Sequence, residues 1–176
     1  MLVAGGAGAG AWIATYDPFM PGHILYRALD PRIVTRDVSG LGAEGRLYEF
    51  RASGPATFHY RFTILNDGPI SVRITSVRPT TSEEIHVRPV RVIPDLSVAP
   101  DGRWRWEPWH AFSLEPGHDA TIEMEVTFTP IRCLDRGWRL GWWPETIGFS
   151  VFGVPRTTAF ESDADVRIVG TEDCPG

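Results

Sequence analysis

Lysine and glutamine are absent from this sequence, and all 17 basic residues are arginine. That bias reads as a property of the coding genome and carries no function. Acidic residues number 22, so the net charge is −5 and no basic surplus is available for the phosphates of a nucleic acid. Cysteine is scarce: the two present are too few and too far apart for a zinc site, and no Cys-x-x-Cys redox motif occurs. The Gly-x-Ser-x-Gly elbow, the Walker loop, the His-Glu-x-x-His zinc helix and the Rossmann glycine fingerprint are all missing. The glycines at 5–10 mimic a phosphate loop but follow no strand and lack its lysine. Long helical patterns are missing too, because Gly (18) and Pro (15) interrupt the chain often. What remains is 176 residues, 43% hydrophobic and 22% charged, the size of one globular domain with a short appendage. That balance excludes a disordered chain, a collagen and a multi-span membrane protein.

Residues 1–16 form an apolar, Gly/Ala-rich segment. Its first fourteen residues would span about 21 Å as a helix, short of a bilayer core of about 30 Å, and no basic region precedes them. Two readings follow: the distal part of a membrane anchor or export signal that begins upstream, or a flexible tail. Trp12 and Tyr16 ahead of Asp17 and Pro18 suit a bilayer exit. Residues 17–45 read as a linker, broken by Pro18, Pro21, Pro31, Gly40, Gly42 and Gly45. Ile24, Leu25 and Leu29 within it are spaced for a helical turn or two.

From Arg46 onward the period is two. Phe58, Tyr60, Phe62 and Ile64 share one face of a strand, with Thr57, His59, Arg61 and Thr63 on the other. The turn Asn66-Asp67-Gly68-Pro69 leads into a second alternating run, Ile70, Val72 and Ile74. A third run places Ile122, Met124, Val126 and Phe128 inward and Thr121, Glu123, Glu125, Thr127 and Thr129 on a solvated face. Weaker runs are 46–53, 85–93, 110–114, 146–154, 156–161 and 165–169. The spacing predicts an all-β, Ig-like antiparallel β-sandwich of about 7–9 strands over 46–176. The four inward residues of the first run and the four of the third contribute on the order of 12–24 kcal/mol before entropy.

The strings FTILNDGPISVRITSV and FSLEPGHDATIEMEVTFTP resemble the ASH / major-sperm-protein-like group of Ig-like domains. Asn66, Gly68, Leu114, Pro116, Gly117, Phe128 and Pro130 carry the likeness, which spans roughly 58–130. The chain also resembles secreted or membrane-anchored envelope proteins of high-GC bacteria. The resemblance implies a sandwich that binds or spaces other molecules and transfers no catalytic residue. A Trp-rich insert before Leu114 departs from the family pattern.

Cys133 and Cys174 in a chain with a candidate export segment point to one disulfide, pinning the acidic C-terminal tail to the sandwich. Closing a loop of about 41 residues is worth about 4 kcal/mol in the chain-entropy picture. Two unrelated thiols are the alternative. The histidines, His23, His59, His86, His110 and His118, show no ligand spacing. Glu123 and Glu125 lie about 7 Å apart on one strand face, a glycosidase-like separation on a face that lacks a cleft.

Six of the seven tryptophans fall within 104–143: Trp104, Trp106, Trp109, Trp138, Trp142 and Trp143. They form either a binding platform, for a protein, a membrane interface or a sugar ring, or two loops packed on each other with Arg stacked on Trp. The sequence therefore reads as a non-enzymatic extracytoplasmic Ig-like module of the cell envelope, membrane-anchored or secreted. No catalytic residue, metal or cofactor is expected. The partner is a protein or envelope component, with no role for nucleic acid. The alternative is a carbohydrate-binding module using the Trp loops on a polysaccharide.

Overall fold

The computed structural model describes residues 15–22, 30, 32–39, 44–79, 82–96, 104–141, 145–160 and 164–174. They form thirteen strands: β1 (Phe19–Pro21), β2 (Ile33–Ser39), β3 (Glu44–Ala52), β4 (Ala56–Asn66), β5 (Val72–Pro79), β6 (Ile85–Ile93), β7 (Glu107–Pro108), β8 (Phe112–Leu114), β9 (Asp119–Phe128), β10 (Arg139–Gly141), β11 (Glu145–Val151), β12 (Val154–Phe160) and β13 (Ala164–Gly170). A five-stranded sheet runs β1-β4-β9-β6-β7. Two four-stranded sheets run β12-β11-β5-β8 and β10-β13-β3-β2. The all-β sandwich expected from the alternation is what the chain forms.

The alternating runs land as their patterns require. Phe58, Tyr60, Phe62 and Ile64 of β4 stand opposite Val126, Met124, Ile122 and Ala120 of β9, and all eight are buried. Phe62 meets Phe160 of β12, and Phe19 meets Phe149 of β11 edge-on. Phe58 stacks on Phe50 of β3. The inner face of the five-stranded sheet is thus met by side chains from both four-stranded sheets, which is why one continuous core serves three sheets.

The structure adds detail to three expectations. The strand count exceeds 7–9, because the short edge pieces β1, β7 and β10 are too brief to show a period in the sequence and β2 falls in the span read as a linker. Within the span 17–45, read as a linker, β1 pairs with the end of β4 and β2 pairs along β3. Pro18 precedes β1 and Pro21 ends it, Gly45 lies within β3, and Ile24, Leu25, Leu29, Pro31, Gly40 and Gly42 lie outside the described residues. The sandwich is not wholly antiparallel, since β13 runs parallel to β3 from Ala164↔Arg46 to Gly170↔Ala52. Residues 1–14 also lie outside the described residues. Among the described residues no helix is long and apolar enough to cross a membrane.

Asn66 explains the turn motif. Fully buried, it donates from Nδ2 to the carbonyls of Ile70 and Leu114, both at 2.9 Å, and accepts from the Gly68 amide at 3.1 Å. Its own carbonyl accepts from the Gly117 amide at 2.7 Å. One side chain therefore ties the turn after β4 to the Leu-Glu-Pro-Gly turn before β9, where Gly117 takes a φ of 73°.

Candidate functional site

The outward face of the five-stranded sheet is a ladder of charge. Arg61 on β4 stands opposite Glu123 on β9, and its Nε and Nη2 reach Glu123 Oε2 at 2.8 and 2.6 Å. Arg88 on β6 grips Glu125 in the same two-pronged way, at 2.8 and 2.7 Å. His59 sits between the two carboxylates, with Nδ1 3.5 Å from Glu123 and Nε2 4.0 Å from Glu125. Thr63 and Thr121 share a hydrogen bond of 3.1 Å.

A bulge brings a further arginine to this face. Between Pro89 and Arg91 the β6 register slips by one residue. Ile85 and Val87 point inward before the slip, yet Val92 points inward after it. Arg91 is thereby turned outward beside Glu123 instead of into the core. Trp106 lies across the result, its ring 4.2 Å from the Arg61 guanidinium carbon and 5.3 Å from that of Arg91. Glu123 was expected on a solvated face. It is only 5% exposed instead, because Arg61 and the Trp106 segment cover it.

The expected tryptophan platform is distributed over different edges. Trp106 is held by the strand arginines Arg61 and Arg91. Trp109 packs on the core and meets Phe112 edge-on, and Trp138 also packs on the core. The 104–109 segment joins the five-stranded sheet through β7, whereas Trp138 leads into β10 at the edge of another sheet. Trp104 alone of the four is exposed, at 51%, with its indole nitrogen donating to the Leu96 carbonyl at 3.2 Å. Trp142 and Trp143 lie outside the described residues.

Cys133 and Cys174 are bonded to each other, with Cα atoms 5.8 Å apart. The bridge fixes the segment after β9 to the chain after β13. Beside it, Arg136 pairs with Asp173 through two bonds of 3.1 Å, which holds the Asp173 carboxyl below the usual carboxylate range. Gly170 lets this segment dock: a Cβ there would overlap the carbonyl oxygens of Leu134 and Asp135. The docked segment, β3 and β13 line a half-open cavity whose walls include Glu49, Arg51, Arg136 and Arg139. The sequence reading missed this cluster. Alternation in Arg-Leu-Tyr-Glu-Phe-Arg already puts Glu49 and Arg51 on one face, but only the parallel pairing with β13 brings Arg139 alongside.

The remaining titratable groups are scattered. His118 pairs with Asp95 at 3.0 Å and His110 with Glu107 at 3.4 Å. Glu145 is buried and accepts from the Tyr60 hydroxyl at 2.8 Å, and its burial pushes the carboxyl up from its ordinary range. Among the described residues no three His, Cys, Asp or Glu side chains converge on a metal-sized space.

At the tip of the β11–β12 hairpin, Phe152 takes a φ of 50° and Gly153 a φ of 81°. Both central residues of this turn are left-handed, a conformation that favours Asn-Gly. Phe152 is 76% exposed, so packing among the described residues does not reward a bulky side chain there.

No family model matches this chain, and no curated protein matches it. Solved structures resemble it weakly. One is the Vibrio cholerae VesB protease, at 12% identity and a TM-score of 0.35, covering 79% of this chain and 32% of the protease. Another is a family 123 glycoside hydrolase from Clostridium perfringens, at 8% identity and 0.38, covering 73% and 23%. A third is an ASH / PapD-like domain of human CEP192, at 12% identity and 0.31, covering 88% and 96%. The chain therefore spans about a third and a quarter of the first two. Likenesses of this strength carry no assignment of activity or partner.

Proposed function

We propose that this chain is a non-enzymatic interaction or structural module of the cell envelope, working outside the cytoplasm. The Cys133–Cys174 bond supports the compartment, since such bonds persist where the environment is oxidising. Phe152 carries the interaction reading. A bulky residue held left-handed costs on the order of 1–2 kcal/mol, and here it is directed at solvent. A partner that buries the ring gives that cost a return. Trp104 is a second exposed anchor of the type enriched in contact surfaces.

The compartment is tested by alkylating the protein from its native host, with and without reductant. Protection until reduction supports an oxidising location, and free labelling removes it. The interaction is tested by capture from the host envelope fraction with the wild type, Phe152→Asn and Trp104→Ala. Selective loss of one protein with Phe152→Asn, in a variant that folds at least as stably as the wild type, supports the reading. Identical capture by all three overturns it. Retention on insoluble polysaccharide that depends on Trp104 would instead favour the carbohydrate-binding alternative.

A further inference from the structure

The cavity beside the disulfide has a volume of about 350 Å³, within the range of small-molecule sites. Its lining is built by register. Arg139 on β10 stands opposite Val169 on β13, and Val169 stands opposite Arg51 on β3. The two arginines are thus two strand spacings apart, about 10 Å, on one sheet face, flanking a short side chain. Arginine side chains are long enough to converge across that gap. Glu49, two residues before Arg51 on the same face, is 5% exposed and is paired in register with Arg167.

The three lining guanidinium groups are in different states. Arg136 is already committed to Asp173. Arg51 and Arg139 have no side-chain partner among the described residues, and both are exposed. The disulfide and the Gly170 contact hold the Arg136–Arg139 wall against β13, with the Gly137 amide donating to the Gly170 carbonyl at 3.0 Å and the Gly170 amide to the Trp138 carbonyl at 2.9 Å. Two open, fork-shaped donors, Arg139 on the fixed wall and Arg51 on β3, facing a half-open space of this size suit one kind of ligand.

We propose that this cavity binds a small molecule through a phosphate or carboxylate group held between Arg51 and Arg139. The site is separate from the Trp104 and Phe152 surfaces and does not depend on either. Arg51 and Arg139 would each offer a two-pronged contact to the oxyanion. The volume exceeds what a bare oxyanion fills, leaving room for the body of the ligand.

The test is an amide NMR titration of the full chain with inorganic phosphate and, separately, with succinate, at ionic strength matched with chloride. The expected result is a saturable shift of the Gly137, Gly170 and Thr171 amides with at least one probe. Saturation by phosphate alone assigns a phosphate ligand, and by succinate alone a carboxylate. Arg51→Ala and Arg139→Ala should each weaken that binding at least tenfold while leaving amides of β4 and β9 unmoved. Shifts that stay linear with both probes overturn the proposal. So do saturable shifts of equal affinity in both variants.

Discussion

Two pairs of arginines occupy the outward faces of this sandwich in opposite circumstances. Arg61 and Arg91 lie under Trp106, with Arg61 locked to a buried carboxylate. Arg51 and Arg139 face a cavity and have no side-chain partner among the described residues. The residue type is the same and the strand positions are equivalent, so type and alternation do not separate a structural arginine from a binding one. The contents of the neighbouring strand and loop do. The first pair is fixed by contacts within one sheet; the wall bearing Arg139 is fixed by a covalent link between distant segments.

Breaking that link is the largest test. Cys174→Ser should cost about 4 kcal/mol, from the release of a loop spanning 41 residues. Hydrogen exchange should rise first in 133–141 and at the end of β13, while the Arg61–Glu123–Trp106 cluster keeps its protection. Uniform loosening of both clusters would erase the distinction between them.

Next in size is Arg61→Ala. It leaves the Glu123 carboxylate buried and without its bidentate partner, at a cost of about 3 kcal/mol in urea unfolding. Arg61→Lys should recover only part of this, because a point charge cannot reproduce the fork or its stacking on Trp106. A loss below about 0.5 kcal/mol in Arg61→Ala would show that the cluster is an ordinary surface ion pair.

Glu145 sharpens the comparison, as a buried carboxyl that accepts from the neutral Tyr60 hydroxyl where Glu123 accepts from an arginine. Burial raises its pKa, and the Tyr60 bond opposes the rise. The folded chain therefore keeps this proton to a higher pH than the unfolded chain does. The stability from this group is complete below the unfolded carboxyl value, about pH 4.3, and is lost as pH rises through the folded value. Glu145→Gln, which can still accept from Tyr60, should match the wild type near pH 4 and melt higher near pH 7.5, by about 2–4 °C for each kcal/mol gained. Parallel melting curves at both pH values would reject this.

Much of the core was readable because period-two alternation is a local signal. Phe58 to Ile64 and Ile122 to Phe128 needed no knowledge of their partners. The burial of Glu123 was unreadable for the opposite reason. It depends on a bulge in β6, which re-aims Arg91, and on a loop that returns to lay Trp106 over Arg61. The cavity depends on a parallel pairing between segments more than a hundred residues apart. The Cys133–Cys174 pairing was within reach because two cysteines allow one bond; which walls it would fasten was not. Trp106 and Trp104 look equivalent in Arg-Trp-Arg-Trp, and only the fold lays one across two guanidinium groups and leaves the other in solvent.

The smallest expected effect is the one that isolates the cavity pair. Arg51→Ala and Arg139→Ala remove exposed guanidinium groups that satisfy no buried acceptor among the described residues. Each should change unfolding free energy by less than about 0.5 kcal/mol. Either single substitution already relieves the weak repulsion between these two like charges, so the double variant should gain no further stability from it. Set beside Arg61→Ala, equal substitutions of one residue type would then differ by about 2–3 kcal/mol in cost. A loss in Arg51→Ala as large as that in Arg61→Ala would mean that Arg51 is neutralising the buried carboxylate of Glu49, and the two pairs would be alike after all.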